Sequence, residues 1–222
     1  TIARIARGNG HTKVLCQIDN VEPHERHLTD KPFNRYYLHS VDGFVYMSEQ
    51  VHSELRAYSD APALFSPHPL FENFGERVER SEACVRLGLD PANRYVLFFG
   101  LIRDYKGLDL LLDAWAQLRR AGRTEGRRLI VAGEFYTARE PYLNRIADNG
   151  LQDEVLLHDR FIPDDDVKYY FSAADFVVQP YKTATQSGVT QIAYQFCVPM
   201  VVTAVGGLPE IVPDGRVGYV CP

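Results

Sequence analysis

The run Tyr95-Val96-Leu97-Phe98-Phe99-Gly100 decides the fold, because a short continuous apolar segment that ends in glycine is typical of a strand covered on both faces. Apolar runs of the same kind recur along the rest of the chain at 129–132, 155–157, 176–178, 200–202 and 217–220. They are rich in β-branched and aromatic residues, which favour strands. The pattern predicts the strands of a buried parallel sheet.

Helical periodicity fills the intervals between these strands. Within 107–121 the apolar residues that share one side of the helix are Leu108, Leu111, Leu112, Trp115 and Leu118. Further helices fit 140–149, 165–173 and 187–197. The regular alternation predicts an α/β fold built on a Rossmann-like, doubly wound parallel sheet.

The first third of the chain is less regular. Strands are predicted at 13–18 and 43–47, and helices at 34–41 and 50–58. Segment 66–70 contains two prolines, which forbid a continuous helix and predict an extended connector. Two strands are too few for an independent α/β domain, so we expect 1–75 to be the tail of an upstream, partial second α/β domain.

The composition excludes several classes of protein. The 222 residues carry 24 Lys and Arg against 29 Asp and Glu, and this net charge of −5 argues against a nucleic acid partner. No apolar run approaches the roughly 20 residues that a membrane-spanning helix needs. The four cysteines form no CxxC pair, which favours free buried thiols and predicts no metal site. The lack of an Asn-x-Ser/Thr sequon favours a cytoplasmic protein.

The ends of the chain are also informative. The first residue is Thr1, and the last residues follow directly after an apolar run. We therefore expect the chain to be a piece of a longer protein.

The segment Arg103-Asp104-Tyr105-Lys106-Gly107 lies where the first strand of the predicted sheet gives way to a helix. Open α/β sheets bind their ligands at this carboxyl edge. Gly100 permits a tight backbone path, and Arg103 and Lys106 are suited to hold a diphosphate, one as a fork and one as a point charge. The alternative is a solvated loop with two ordinary surface cations.

The segment Thr185-Gln186-Ser187-Gly188-Val189 leads from a later strand into an apolar helix. The free N–H groups in the first turn of that helix can receive an anion. The alternative is simple capping, since Ser187 is a good N-cap residue whether or not anything binds.

A third segment, Gly206-Gly207-Leu208-Pro209-Glu210, follows the next strand. Its glycines bring the backbone close to whatever occupies the sheet edge. Taken alone, Glu210 is better explained as an exposed first-turn acid stabilised by the helix dipole. Three such loops at one edge of one sheet predict a common pocket that accepts a pyrophosphate.

Other motifs carry less weight. His24-Glu25-Arg26-His27 has the wrong histidine spacing for a zinc-protease helix. Asp164-Asp165-Asp166 is better explained as an acidic helix start than as a cation site. Tyr36-Tyr37 and Trp115 are interpreted as packing residues. No GxGxxG or GxxxxGK[ST] motif follows a strand, which disfavours nicotinamide dehydrogenases and P-loop enzymes.

Segments 99–114, 175–181 and 186–210 together resemble the C-terminal donor-binding domain of family 4 glycosyltransferases of the GT-B type, group 1. Residues 19–25 and 66–70 are similar to the end of that family's N-terminal domain and to its linker. The resemblance implies two Rossmann-like domains that face each other across a cleft. It implies that 1–75 belong to the acceptor-side domain, and 76–222 to a nucleotide-sugar-binding domain truncated at its C-terminus.

The resemblance also implies a retaining, hexosyltransferase-type enzyme that uses a nucleotide-diphosphate sugar, needs no metal or other cofactor, and glycosylates an unidentified glycan, lipid or small molecule. Arg103 and Lys106 are the catalytic candidates, because they would stabilise the negative charge that grows on the leaving diphosphate. The implied donor-binding residues are Gly100, Thr185, Gln186, Ser187, Gly188, Val189, Gln191 and Glu210. Asp19 and His24 are the acceptor-side candidates.

The chain departs from the family pattern at four positions, one of which is Asp19, where many relatives have a histidine near the reacting sugar. Leu101 replaces the usual arginine, so Arg103 has to reach back from two positions later. Ala184 and Ile192 stand where the family has a pair of glutamates. Two alternatives therefore stay open: another GT-B activity such as a sugar-nucleotide epimerase, and a non-catalytic nucleotide-sugar-binding or interaction module. We expect the chain alone to be poorly active, and any peripheral membrane association to involve missing parts.

Overall fold

The computed structural model describes residues 2–22 and 30–222, which form two parallel sheets. The first sheet has the strand order β1-β2-β3, and its strands are β1 (Leu15–Ile18), β2 (Gly43–Tyr46) and β3 (Ala63–Phe65). The helices of this part are α1 (Ile2–Arg7), α2 (Asp30–Leu38) and α3 (Glu49–Leu55). They confirm the predicted strands and helices to within a few residues at each end.

The prediction of two strands in this region was wrong, because β3 pairs in parallel with β2. Its three residues are all exposed, so they show no apolar alternation that a sequence pattern could detect. Helix α1 was not predicted either. Segment 66–70 contains no helix or strand, as its prolines predict.

The second sheet contains six parallel strands in the order β6-β5-β4-β7-β8-β9. These strands are β4 (Arg94–Phe99), β5 (Arg127–Ala132), β6 (Val155–His158), β7 (Phe176–Gln179), β8 (Met200–Thr203) and β9 (Gly218–Cys221). The helices are α4 (Arg80–Leu87), α5 (Leu108–Arg120), α6 (Glu140–Asp148), α7 (Asp164–Ala173), α8 (Gly188–Gln195) and α9 (Leu208–Ile211), with a 3₁₀ turn at Asp104–Lys106.

Numbered within the second sheet alone, the strand order is 3-2-1-4-5-6, which confirms the Rossmann-like prediction. The order reverses between β4 and β7, which pair directly through Val96 and Leu97. Connections leave these two strands in opposite directions, and this opens a crevice at their carboxyl ends. The fold therefore places the loops that follow β4 and β7 side by side.

Helices cover both faces of the second sheet. Residues of α4, α7 and α8 share one buried cluster with Leu97, Val177 and Val202 of the strands. Helices α5 and α6 pack on the other face, where Trp115 is buried and donates its indole N–H to Glu154 at 2.8 Å. The interpretation of Trp115 as a packing residue is confirmed.

Helix α4, which was not predicted, is part of this core. Ala83 and Cys84 on its inner side are fully buried, and Phe71 and Phe74 of the preceding segment pack against the same cluster. The expectation of buried thiols holds for Cys84 but was wrong for Cys197 and Cys221, which are exposed. Within the described ranges, no helix combines the length and the apolar character required to cross a membrane.

Candidate functional site

The loop after β4 is locked onto the end of β7. Gly107 has φ +68°, and a Cβ atom at this position would lie 1.9 Å from the carbonyl oxygen of Pro180. Only glycine fits so close an approach with a left-handed backbone. The Lys182 N–H also donates to the carbonyl of Tyr105 at 2.7 Å. These contacts hold the 3₁₀ turn Asp104–Lys106 against the crevice.

Lys106 lies in this crevice and is only 9% exposed. Its ammonium nitrogen is 3.1 Å from the position that a Cβ atom of Gly100 would take, and 5.8 Å from the centroid of the Tyr181 ring. Among residues 2–22 and 30–222, no carboxylate forms an ion pair with it. Burial and the neighbouring Arg103 cation lower its pKa to about 8.

Two neighbouring cations illustrate different environments. Arg103 is half-buried, and its guanidinium carbon lies 5.1 Å from the centroid of the Tyr136 ring. Lys182 forms ion pairs of 3.0 Å with both Asp104 and Asp109, so its charge is balanced within the loop. Among the described residues Lys106 has no such partner, and a buried cation of this kind favours an anionic ligand.

The first turn of α8 borders Lys106. The side chain of Val189 comes within 3.5 Å of the same Cβ position at Gly100, which fixes the helix start beside the ammonium. Ser187 is the N-cap residue, but its hydroxyl makes no capping bond and lies 3.1 Å from the hydroxyl of Tyr181. Ser187 therefore occupies the predicted N-cap position but does not provide a side-chain capping bond. Backbone N–H groups in the first turn have no side-chain acceptor from this residue.

Tyr181 holds the residue that begins α8. Its ring is buried, and burial raises the pKa of its phenol far above the usual value. The hydroxyl therefore stays neutral and holds Ser187 by a hydrogen bond rather than by charge.

The third loop packs directly on the second. Gly206 has φ +55°, and a Cβ atom there would lie 1.4 Å from the carbonyl oxygen of Ala184. The N–H of Gly207 donates to the carbonyl of Thr185 at 3.2 Å. The loops after β4, β7 and β8 thus converge at one edge of the sheet, as the sequence predicts.

Two hydrogen bonds connect this edge to the carboxyl ends of the first sheet. The Thr185 hydroxyl donates to the side-chain oxygen of Asn20, which follows β1. The carboxylate of Glu210 accepts the N–H of Glu49 at 3.0 Å, at the start of α3. The carboxyl edges of the two sheets therefore face each other.

The remaining predicted residues are distributed around this convergence. The amide oxygen of Gln186 is buried and has no hydrogen-bond partner within 2–22 and 30–222, and Gln191 is 5% exposed. A Cβ atom at Gly188 would lie 3.3 Å from the Phe71 ring. Asp19 is exposed and precedes Asn20. His24, with the rest of the His24–His27 motif, lies outside the described residues.

Sequence reasoning missed Asn20, Glu49 and Tyr136, which contact predicted site residues. Each follows a strand at its carboxyl end, and this position is the signal that could have identified them. What the pattern could not supply was which strand ends meet across the two sheets.

A cavity of about 500 Å³ lies at the amino ends of β7 to β9, beside Asp175, Met200 and Gly218, far along the strands from Lys106. In the part of the chain that the structure describes, no group of three His, Cys, Asp or Glu side chains could hold a metal ion. Asp164 begins α7, which confirms the acidic helix start.

Known proteins resemble this chain in sequence. Residues 93–222 match the family model described as glycosyl transferases group 1. The D-inositol 3-phosphate glycosyltransferase of Pseudarthrobacter chlorophenolicus is 32% identical over 140 residues, which cover 63% of this chain and 33% of that protein. The lipopolysaccharide core biosynthesis mannosyltransferase LpsB of Rhizobium meliloti is 32% identical over 172 residues, covering 72% of this chain and 45% of that protein. The chain therefore spans less than half the length of each relative.

Solved structures share the fold. Sucrose-phosphate synthase from Thermosynechococcus elongatus superposes with a TM-score of 0.78 at 22% identity, covering 94% of this chain and 54% of that one. Anabaena Alr3699/HepE in complex with UDP-glucose gives a TM-score of 0.79 at 18% identity, covering all of this chain and 62% of that one. The sequence match extends over more than half of the chain, and the chain thus belongs to the group 1 glycosyltransferases.

Proposed function

We propose that this chain binds a nucleotide-diphosphate sugar as part of a retaining, metal-independent glycosyltransferase. The observation that carries the proposal is Lys106, a buried cation that no carboxylate of the described residues balances. A diphosphate at the crevice would supply the missing negative charge. Arg103 and the first-turn N–H groups of α8 add positive potential around the same point.

The same groups explain catalysis. When the bond between the anomeric carbon and the diphosphate oxygen breaks, the electron pair stays on the diphosphate. The oxygen of the acceptor hydroxyl forms the new bond to the sugar, and its proton passes to an oxygen of the departing diphosphate. Lys106 and Arg103 would stabilise this growing charge more strongly in the transition state than in the bound substrate. Because Lys106 is buried in the crevice, it needs little reorganisation during the reaction.

The comparisons support the donor class. The Anabaena protein with the same fold was solved with UDP-glucose, and the chain belongs to a glycosyltransferase family. We assign the hexosyl donor to residues 76–222, with Gly100, Thr185 and Gln186 beside the α8 start, and the acceptor to residues 1–75. Asp19 and His24 remain the acceptor-side candidates. The relatives' names give different acceptors, inositol phosphate and a lipopolysaccharide core, so we propose no single acceptor.

Calorimetric titration with UDP, GDP and ADP tests the proposal. We expect one of these nucleotides to bind, and Lys106→Met to weaken its binding about tenfold or more, since a charge-assisted contact is lost. The matched control is Lys168→Met on α7, where the ammonium lies 5.2 Å from the Tyr169 ring centroid. It removes the same charge from the same half and should change affinity less than about twofold. Equal affinities for wild type and Lys106→Met would refute the site.

A second candidate function is favoured by one observation. Ala184 and Ile192 are both buried and apolar, so neither can form the hydrogen bonds of the glutamates that the family carries at these positions. A non-catalytic nucleotide-sugar-binding module would tolerate this loss. Transfer of radiolabelled sugar from UDP-glucose to water or to added acceptors separates the two functions, and EDTA should leave any transfer unchanged.

A further inference from the structure

Glu210 makes a contact that it would not need if its only role were to bind the sugar nucleotide. Its carboxylate accepts the N–H of Glu49 at 3.0 Å, across 161 positions of sequence, and so joins α9 beside the second sheet to α3 beside the first. Ser48 caps α3 separately, by accepting the N–H of Val51 at 3.4 Å. The bond from Glu49 is therefore an additional anchor, and α3 does not depend on it for its cap.

The anchor holds the Gly206–Gly207 turn between the two halves. A Cβ atom at Gly206 would lie 2.8 Å from the side-chain oxygen of Gln50 on one side and 1.4 Å from the Ala184 carbonyl on the other. A Cβ atom at Gly207 would likewise lie 3.1 Å from the Ser48 side chain and 2.2 Å from the Thr185 carbonyl. The turn is thus packed between the start of α3 and segment 184–185.

Segment 184–185 leads directly to the α8 start beside Lys106. Any displacement of the Gly206–Gly207 turn therefore removes the support behind the backbone that carries Ser187, Gly188 and Val189. Glu210 can influence the phosphate-facing groups through this chain of backbone contacts.

We propose that Glu210 is a positioning residue, which holds the Gly206–Gly207 turn and the α8 start in place by binding the N–H of Glu49. This inference rests on the proposed function, because the α8 start matters only if a diphosphate binds there. In this role Glu210 does not contact the nucleotide itself. The first sheet then contributes, through α3, to the affinity for the sugar nucleotide.

A substitution cycle separates positioning from direct contact. Glu210→Ala removes the acceptor, and Glu49→Pro removes the donor N–H without altering Glu210. Proline suits this position, because it is the first helical residue of α3 and Ser48 before it is extended, with φ −146° and ψ 149°. Glu210→Gln keeps an acceptor oxygen, and Glu49→Ala removes the Glu49 carboxylate while keeping its N–H.

Titrations with UDP, GDP and ADP measure the cycle. We expect Glu210→Ala and Glu49→Pro each to weaken binding about threefold to tenfold, and the double variant to be no weaker than the single ones, because both remove one shared bond. Glu210→Gln and Glu49→Ala should bind like the wild type.

The outcomes distinguish the two proposals. Loss of affinity in Glu210→Ala together with full affinity in Glu49→Pro would overturn positioning in favour of direct contact. Full affinity in both would overturn the inference and leave the nucleotide site intact. A wild-type chain that binds none of the three nucleotides would refute the proposed function, and this inference with it.

Discussion

The second sheet carries a charged cluster at each of its two edges, and the two clusters differ in how the charge is balanced. At the amino edge, Asp175 forms ion pairs with Arg80 at 3.2 Å and Arg94 at 3.0 Å, and accepts the N–H of Tyr95 at 2.7 Å. At the carboxyl edge, Lys106 has no carboxylate partner in the described part of the chain.

The difference separates structural charges from functional ones. Arg80 also donates to the carbonyls of Ala173 and Asn93 at 2.7 Å, so the amino-edge cluster connects α4, α7 and the strands. A fully partnered cluster of this kind stabilises the fold. An unpartnered buried cation costs stability, and proteins retain such a group where a ligand needs it.

The largest effect is expected at the amino edge. Asp175→Ala leaves the half-buried Arg80 without its counter-charge and Tyr95 without its acceptor, so the free energy of unfolding should fall by about 3 kcal/mol. Guanidinium unfolding measures this loss, and the exposed Asp148→Ala serves as the control. The folded Asp175→Ala protein should bind nucleotide with the affinity of the wild type. A loss of nucleotide binding without a loss of stability would contradict the structural role of the amino-edge cluster.

At the carboxyl edge, removing the charge should raise the free energy of unfolding instead of lowering it. Lys106→Met removes a cation whose pKa is about 8 in the folded chain against 10.5 for an ordinary lysine, and should raise the free energy of unfolding at pH 7 by about 1 to 3 kcal/mol. The unfolded chain holds more protons between these two pKa values, so wild-type stability should rise with pH from 8 to 10.5 relative to the variant. Unfolding at pH 7 and pH 10.5 measures both effects. A destabilised Lys106→Met protein would show that the charge is balanced after all.

The smallest effect is a pH dependence of ligand binding. Arg103 and the ring of the neutral Tyr181 are neighbours of Lys106, and neither carries a compensating negative charge. Only the protonated ammonium attracts a diphosphate, so affinity should fall about tenfold between pH 7 and pH 9, as the competent fraction falls. Titration with UDP, GDP and ADP at several pH values measures this, and Lys106→Met should show a flat profile. A wild-type profile as flat as that of the variant would contradict the assignment.

The sequence pattern predicted the second sheet more completely than the first for a physical reason. Strands such as β4 are buried on both faces and show continuous apolar runs, whereas β3 is three residues long and exposed. Helix α4 was not predicted, although it ends at Gly88, which has the left-handed conformation common at helix C-termini.

For the site, the sequence identified the three loops but not their partners. The loops follow strand ends, and topology brings strand ends together. The contacts of Glu210 with Glu49 and of Thr185 with Asn20 join different sheets, so no local spacing encodes them. Ser187 is a residue type that commonly caps helices. Its hydroxyl nevertheless turns to Tyr181, because the start of the same loop offers a buried partner.

The packing of the segment before β4 has a practical consequence. The family match begins at residue 93, yet Phe71, Phe74 and α4 are integral to the core under β4 and β7. A deletion that starts at the family boundary would remove α4, Phe71 and Phe74 from one face of the hydrophobic core. It would also remove Arg80, the ion-pair partner of Asp175. An excised nucleotide-binding half therefore has to keep the chain from Phe71 onward to remain folded.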